Sequence, residues 1–212
     1  MPAKKDLLDS VKETYNEISS EFSSTRNYIW PDLKPFLKGI PSKASILDVG
    51  CGNGRLLIGL PKGVKYTGID NSEKLLEEAK KAHPEANFIE TDITEPKIWK
   101  HLNKYDYIFC VAVMHHLPTK DEQLFVLKQI KDHLKPKGKC LITVWNLWQS
   151  KYIKYHVDPA TKWQNPYWVN IPFQGKKRFC FAYTKPYLET LLKEAKVSLK
   201  IKKTPQNYLL SN

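Results

Sequence analysis

No run of 18 apolar side chains occurs anywhere in the 212 residues, so no membrane-spanning helix is expected. The start, Met1-Pro2-Ala3-Lys4-Lys5-Asp6, passes into a polar helical pattern without an apolar core, and no secretory leader is expected. Cysteine is scarce. The four, at positions 51, 110, 140 and 180, include no CxxC pair, and three sit in or beside apolar, strand-like runs. That spacing gives no zinc ribbon and no disulfide frame; it fits buried thiols in a reducing, cytoplasmic setting. Internal repeats and low-complexity tracts are lacking too. With 42% hydrophobic and 26% charged residues, the composition excludes a disordered or collagen-like chain.

Arginine is also in short supply: Arg26, Arg55 and Arg178 are the only three among 34 basic residues. The net charge is +12, unevenly spread. Residues 151–212 hold 12 basic and 3 acidic groups, against 22 and 19 in residues 1–150. A basic C-terminal third favours a polyanionic partner such as nucleic acid, although a general lysine bias would look similar.

Periodicity organises the rest. Leu7, Leu8, Val11, Tyr15, Ile18 and Phe22 recur at three- and four-residue steps and predict one helix over residues 4–23. A second, short helix is expected over 31–39, with Pro31 at its first position. From residue 44 apolar strands alternate with helices: strands at 45–50, 64–70, 87–92, 105–113 and 139–145, helices at 54–60, 72–82 and 120–134. This alternation predicts a parallel sheet covered on both faces. Residues 146–183 show no clean period. A helix at 185–195 and strands at 197–202 and 207–211 follow, the last two as a hairpin joining the sheet edge antiparallel. The expected organisation is one domain over 1–212: a helical lid (1–43), a binding core (44–146), an aromatic, basic insertion (147–184) and a C-terminal helix and hairpin (185–212).

The segment Asp48-Val49-Gly50-Cys51-Gly52-Asn53-Gly54 ends the first strand and opens a helix. Its glycines allow a tight turn and close backbone approach to a ligand. A second acid, Asp70, ends the next strand, where a carboxylate can accept ribose hydroxyls. A nicotinamide-binding site would instead need glycine at position 55, which is Arg55. On these residues the stretch 44–146 resembles the class I S-adenosylmethionine-dependent methyltransferases. The resemblance implies a Rossmann-like, seven-stranded α/β sheet with helices on both faces and an N-terminal helical lid. It implies S-adenosyl-L-methionine as cofactor, with Asp48, Gly50, Gly52 and Asn53 at the methionine end. Asp70 and Asn71 would lie at the ribose, Asp92 and Ile93 at the adenine, Val111 near the sulfonium, and Tyr15 as a lid.

The flanks narrow the resemblance. Tyr15-Asn16-Glu17-Ile18, Phe22-Ser23-Ser24-Thr25-Arg26, Trp30-Pro31 and Val111-Ala112-Val113-Met114-His115-His116-Leu117-Pro118-Thr119 are similar to the tRNA wobble-uridine carboxymethyl methyltransferases, as is Arg178-Phe179-Cys180-Phe181. That family's arginine pair after the His-His segment is replaced here by Lys120-Asp121-Glu122-Gln123, and its histidine after Arg178 is absent. The resemblance implies methyl esterification of 5-carboxymethyluridine, the tRNA anticodon loop as partner, and a small zinc-binding activator subunit on an apolar sheet edge to which Tyr107, Phe109 and Ile142 could contribute. A small-molecule carboxylate or amine methyltransferase, or a non-catalytic RNA-binding member of the fold, stays open.

The chemistry of a carboxylate substrate agrees. It is ionised at neutral pH, so methyl transfer to it needs alignment and no general base. Arginine holds a carboxylate in fixed geometry, which makes Arg26 and Arg178 the catalytic candidates, with His116 beside the substrate. Arg55 could serve the cofactor carboxylate or solvent. Adjacent His115 and His116 at a strand end would point in opposite directions, a poor chelate, and no metal is expected. Residues 145–187 hold 12 of the 25 aromatic residues, interleaved with lysines. That mixture suits unstacked bases on rings and phosphates on lysines, with Trp163 or Tyr167 expected to be exposed.

Overall fold

The structure, a computed structural model, describes residues 4–26, 28–157 and 165–212. Seven strands form the central sheet: β1 (Ser45–Val49), β2 (Lys65–Asp70), β3 (Asn87–Glu90), β4 (Tyr105–Val111), β5 (Leu134–Trp145), β8 (Lys200–Lys203) and β9 (Asn207–Ser211). Their order across the sheet is β3-β2-β1-β4-β5-β9-β8. The first five are parallel; β9 runs antiparallel between β5 and β8. The parallel order reverses at β1, so the gap beyond the carboxyl ends of β1 and β4 is the place for a ligand.

Both faces of the sheet are covered, as the unbroken apolar strands require. Leu47, Val49, Ile108 and Ile142 pack with α6 (Lys120–Asp132) and α8 (Lys185–Ala195). On the other face Ile46, Tyr66, Phe109 and Leu141 pack with α3 (Lys34–Leu37) and α4 (Glu73–Ala82). A small helix, α5 (Pro96–Trp99), precedes β4. Phe109 and Ile142 are thus buried in central strands, 2% and 1% exposed. They and their neighbour Tyr107 on β4 do not form a sheet edge, which corrects the expected activator contact. Among the described residues no helix is long and apolar enough to cross a membrane. All four cysteines are buried and unpaired.

The ends of the elements differ from expectation in instructive ways. The N-terminal helix is split into α1 (Lys4–Glu17) and α2 (Ser19–Thr25), broken at Ile18 with ψ near 5°. Thr14 Oγ1 donates back to the Ser10 carbonyl at 2.8 Å, a contact that bends helices, and Ser19-Ser20 are weak helix formers. Residues 31–33 are turns before the one-turn α3. Arg55–Gly59 is a 3₁₀ turn, shorter than the helix expected over 54–60. Strand β5 begins at Leu134 and absorbs Pro136-Lys137-Gly138 as an irregularity, with Lys137 left-handed at φ 67°.

The insertion after β5 is more regular than its sequence suggests. It contains α7 (Ser150–Ile153) and an antiparallel hairpin of β6 (Trp168–Phe173) and β7 (Lys176–Phe181). The hairpin turns on Gln174 and Gly175, both at positive φ (50° and 76°), as a two-residue loop between right-twisted strands requires. Phe179, Phe181 and Tyr183 are buried. Tyr167 is half-buried and stacks on Phe181 at 5.2 Å, contrary to the expected exposure, because β6 follows it and pulls the ring onto the core. Trp163 lies outside the described residues.

Between β4 and α6, the 3₁₀ turn Met114–His116 leads to Thr119, which caps α6. The Thr119 hydroxyl accepts the Glu122 amide hydrogen, and the Glu122 carboxylate accepts the Thr119 amide hydrogen at 3.1 Å, a reciprocal capping box. Replacing Thr119→Ala removes one half of it and is expected to lower stability by about 1 kcal/mol, read as a drop in the urea midpoint at unchanged slope. An unchanged midpoint would show that the cap holds without the hydroxyl.

Candidate active site

One cavity opens at the switch point, and all thirteen residues singled out from the sequence line it: Tyr15, Arg26, Asp48, Gly50, Gly52, Asn53, Asp70, Asn71, Asp92, Ile93, Val111, His116 and Arg178. The glycine turn forms its floor. Gly50 sits at φ 71°, and a Cβ there would fall 2.2 Å from a Val113 methyl. Only glycine lets the chain leave β1 beneath Val113. Asp70 locks the turn: its carboxylate accepts the amide hydrogens of Gly52 (2.8 Å) and Ser72 (2.9 Å). Burial nonetheless raises its pKa, with those backbone donors opposing. Asp48, 3% exposed, accepts the Tyr66 hydroxyl at 2.8 Å, and burial pushes it up to about 7. Asp92 accepts both the amide and the hydroxyl hydrogens of Thr94. The Trp99 indole donates to the Ile93 carbonyl at 2.9 Å and fixes that corner.

The cavity is also cationic. All three arginines of the chain line it, and among the described residues no lysine does. Arg178, on β7, is 3% exposed. Its guanidinium lies 4.3 Å from the Phe173 ring centre, 5.1 Å from Trp145 and 5.6 Å from Tyr15. Among the described residues no carboxylate pairs with it, and its Nε has no hydrogen-bond partner. It is not one of a solvated run with Lys176 and Lys177, because the hairpin turns its side chain inward. Arg26 stands over Phe22 and Phe173 at 5.0 and 5.4 Å. Arg55 stacks on Trp30 at 4.3 Å. Burial first, and Arg26 second, press its pKa down to about 10, and among the described residues its Nη1 also lacks a partner.

A hydrogen-bond chain ties three separate elements together here. Arg178 Nη1 donates to the Tyr15 hydroxyl at 3.0 Å, which lies 3.1 Å from His116 Nε2; His116 Nδ1 lies 2.9 Å from the Phe179 carbonyl. A carbonyl only accepts, so Nδ1 carries the hydrogen and Nε2 accepts from Tyr15. Burial, with Arg178 adding, pushes His116 down to about 3, so the ring is neutral. Burial raises the Tyr15 pKa, which keeps the phenol a donor. Both ring nitrogens of His116 are engaged, which makes it a positioning residue acting through Tyr15.

His115 is different. It does not line the cavity, and its ring stacks on Trp145 (4.5 Å, 27°) and lies 4.5 Å from His116. The two rings adjoin because residues 114–116 form a 3₁₀ turn rather than extended strand, which corrects the opposed directions expected. His115, His116 and Cys180 each bring one ligand atom within 4.8 Å of the others. Cationic Arg178 adjoins this group, burial pushes the Cys180 thiol up to about 12, and His116 Nδ1 is held by Phe179. The sequence leaves Arg55 between the cofactor carboxylate and solvent, and the structure puts it in the cavity wall. Sequence reasoning counts Trp145 only among the aromatic stretch and gives Trp30 and Val113 no cavity role.

Comparison with known proteins follows this geometry. A family model described as a methyltransferase domain matches residues 22–196. The fold is that of the class I S-adenosylmethionine-dependent methyltransferases: a crystal structure of an S-adenosylmethionine-dependent methyltransferase from Methanosarcina mazei aligns with TM-score 0.68 at 16% identity, covering 86% of this chain and 96% of the other. The chain belongs to the methyltransferase domain family. Among curated proteins it is 36% identical over 141 residues to the tRNA (carboxymethyluridine(34)-5-O)-methyltransferase of Saccharomyces cerevisiae, covering 66% of this chain and 49% of that one. It is 35% identical over 150 residues to the Macaca fascicularis tRNA (carboxymethyluridine(34)-5-O)-methyltransferase ALKBH8, covering 68% and 22%. This chain therefore spans half or less of the length of those two relatives.

The orphaned ring of His115 gives a pH prediction. Burial first, then His116 and Arg178, hold its pKa well below 6.5, and among the described residues neither nitrogen has a partner. Below pH 6.5 the unfolded chain takes up a proton there that the native state refuses, so wild-type stability falls as pH drops. His115→Phe keeps the stack on Trp145 and removes both unsatisfied groups. Its stability advantage over wild type should widen by up to about 1.4 kcal/mol per pH unit below 6.5. Thermal melts at pH 7.5 and 5 check this; a gap that stays constant would show that His115 is protonated or solvated in the native state.

Proposed function

We propose that this chain transfers the methyl group of S-adenosylmethionine to the carboxylate of 5-carboxymethyluridine at the wobble position of tRNA. The observation that carries the reading is Arg178. A buried cation without a counter-charge is unfavourable by several kcal/mol unless a ligand supplies the anion. The names of the curated relatives supply the class of carboxylate.

The donor set suits S-adenosylmethionine. Asp70 offers carboxylate acceptors to a ribose diol beside the glycine turn, Asp92 and Ile93 flank a slot for a flat base, and Arg55, with its open Nη1, suits the amino-acid carboxylate. Bound there, the cofactor supplies an electrophilic methyl group on a sulfonium. The chain's own residues then do the rest. Arg178 neutralises and orients the substrate carboxylate, whose oxygen is already anionic and needs no base. Tyr15 and His116 hold Arg178 in place, and Phe173 and Trp145 keep water from its faces. Alignment of the attacking oxygen is the main catalytic task.

The partners belong to the same reading. The tRNA anticodon loop would meet the rings and lysines of the insertion. A small zinc-binding activator subunit would take a sheet edge. Strand β8 carries Lys200, Lys202 and Lys203, which discourage strand pairing, so we place that subunit at β3. The four reduced, buried cysteines suit the cytoplasm.

The test incubates the full chain with S-adenosylmethionine and tRNA bearing 5-carboxymethyluridine, with and without the activator subunit, followed by nucleoside mass spectrometry. An alkali-labile methyl ester is expected. Arg178→Lys keeps charge but loses the planar fork, and kcat/KM should fall about 10- to 150-fold, the range for hydrogen bonds to charged groups. Cofactor binding with no ester in either mixture would overturn the proposal.

A further inference from the structure

Beside the active-site cavity lies a second cleft of 360 Å³, lined by Tyr28, Trp30, Trp145, Tyr152, Gln149 and Gln206 among others. That is within the size range of small-ligand sites, about 300–1,000 Å³. Trp30 and Trp145 line both spaces, so the two share a wall. We infer that this cleft is a base subsite, holding the unpaired nucleotide adjacent to the one that is methylated. The inference rests on the RNA reading above and adds a residue-level basis for it.

The chemistry of the lining is that of a nucleotide. Tyr28 is 54% exposed, the most exposed aromatic ring described, and among the described residues no hydrogen bond or ring contact holds its side chain. An open aromatic face stacks on any base. Two amides supply edge contacts. Gln149 Nε2 donates to the Asn146 carbonyl at 2.6 Å, which fixes the amide and leaves its oxygen as an acceptor. Gln206 is exposed, and its backbone is pinned because its carbonyl accepts the Asn146 amide hydrogen at 2.8 Å. Together they offer donor and acceptor to a base edge. Lys151, with its ammonium 4.7 Å from the Tyr152 ring centre, stands at the cleft as a phosphate contact.

Repulsion is also managed. Among the described residues the only carboxylate on the cleft is Asp32, which accepts hydrogens from Thr204 Oγ1 at 3.1 Å and Asn207 Nδ2 at 3.0 Å. Its Oδ2 is thus tied into the wall. That link joins the segment before α3 to the β8–β9 turn, so residues distant in sequence build one rigid side. Because Trp145 separates the two spaces, their occupants are neighbours, and consecutive nucleotides of one strand meet that condition.

The test compares three substrates for the full chain, with and without the activator subunit: 5-carboxymethyluridine nucleoside and two dinucleotides carrying a 5′ or a 3′ neighbour. One dinucleotide should exceed the nucleoside in kcat/KM by about 5- to 150-fold, the range expected of one base stack. Tyr28→Ala should abolish that gain and leave nucleoside turnover unchanged, and Tyr28→Phe should retain it. A parallel measurement needs no turnover: 2-aminopurine as the neighbouring base in an anticodon-loop RNA should lose fluorescence on binding wild type and not on binding Tyr28→Ala. Tyr28-dependent quenching without ester keeps the subsite and rejects the proposed reaction. Ester formation without Tyr28-dependent gain or quenching rejects the subsite, and absence of both rejects both.

Discussion

A single buried guanidinium organises the functional end of this molecule. Arg178 cannot be solvated by water at 3% exposure, and no protein carboxylate among the described residues answers it. It is held instead by ring faces and one phenolic oxygen. That oxygen is available only because α1 packs against β7, and its hydrogen has a place to go only because His116 is neutral. His116 in turn is fixed by the carbonyl of Phe179, the residue after Arg178 itself. The chain of contacts thus closes on the strand where it began. Loss of any member would leave a buried polar group unsatisfied, which is why such networks are rigid when complete.

The same logic explains the uneven use of basic residues. Lysine serves the surface, where a flexible, hydrated ammonium is adequate. The three arginines serve one cavity, where a planar cation must lie against Trp30, Phe22, Phe173 and Trp145 and still present donors. The acids Asp48, Asp70 and Asp92 line the same cavity. A ligand that presents ring hydroxyls to Asp70, and the ammonium and carboxylate of an amino-acid group between Asp48 and Arg55, would meet complementary charge along its length.

Much of this is legible in the sequence. The parallel strands show as unbroken apolar runs because both of their faces are buried, and the glycine turn shows because Gly50 has no substitute beneath Val113. Asp70 and Asp92 are found by their position at strand ends, Arg26 and Arg178 by their rarity. Less is legible where long-range packing or a single side-chain bond decides. The kink at Ile18 turns on a side-chain back-bond from Thr14, which the apolar period does not register. The β6–β7 hairpin hides behind Pro172 and a Gln174-Gly175 turn that lacks the usual asparagine or aspartate. The stacked pair His115 and His116 follows from a 3₁₀ turn that local pattern does not distinguish from strand end.

Adjacent residues of α1 reach opposite ends of the site. Tyr15 bonds to Arg178, while Asn16 Oδ1 accepts the Ser72 hydroxyl at 2.7 Å, two residues beyond Asp70. Glu17 pairs with Lys176 of the hairpin. One helical turn therefore grips the acidic and the cationic halves together, and neither grip can loosen without disturbing the other. Thermodynamic reciprocity follows: whatever steadies that turn from one side lowers the ordering entropy left for the other, so the two ligands of a transfer reaction would assist each other's residence beyond their direct contact.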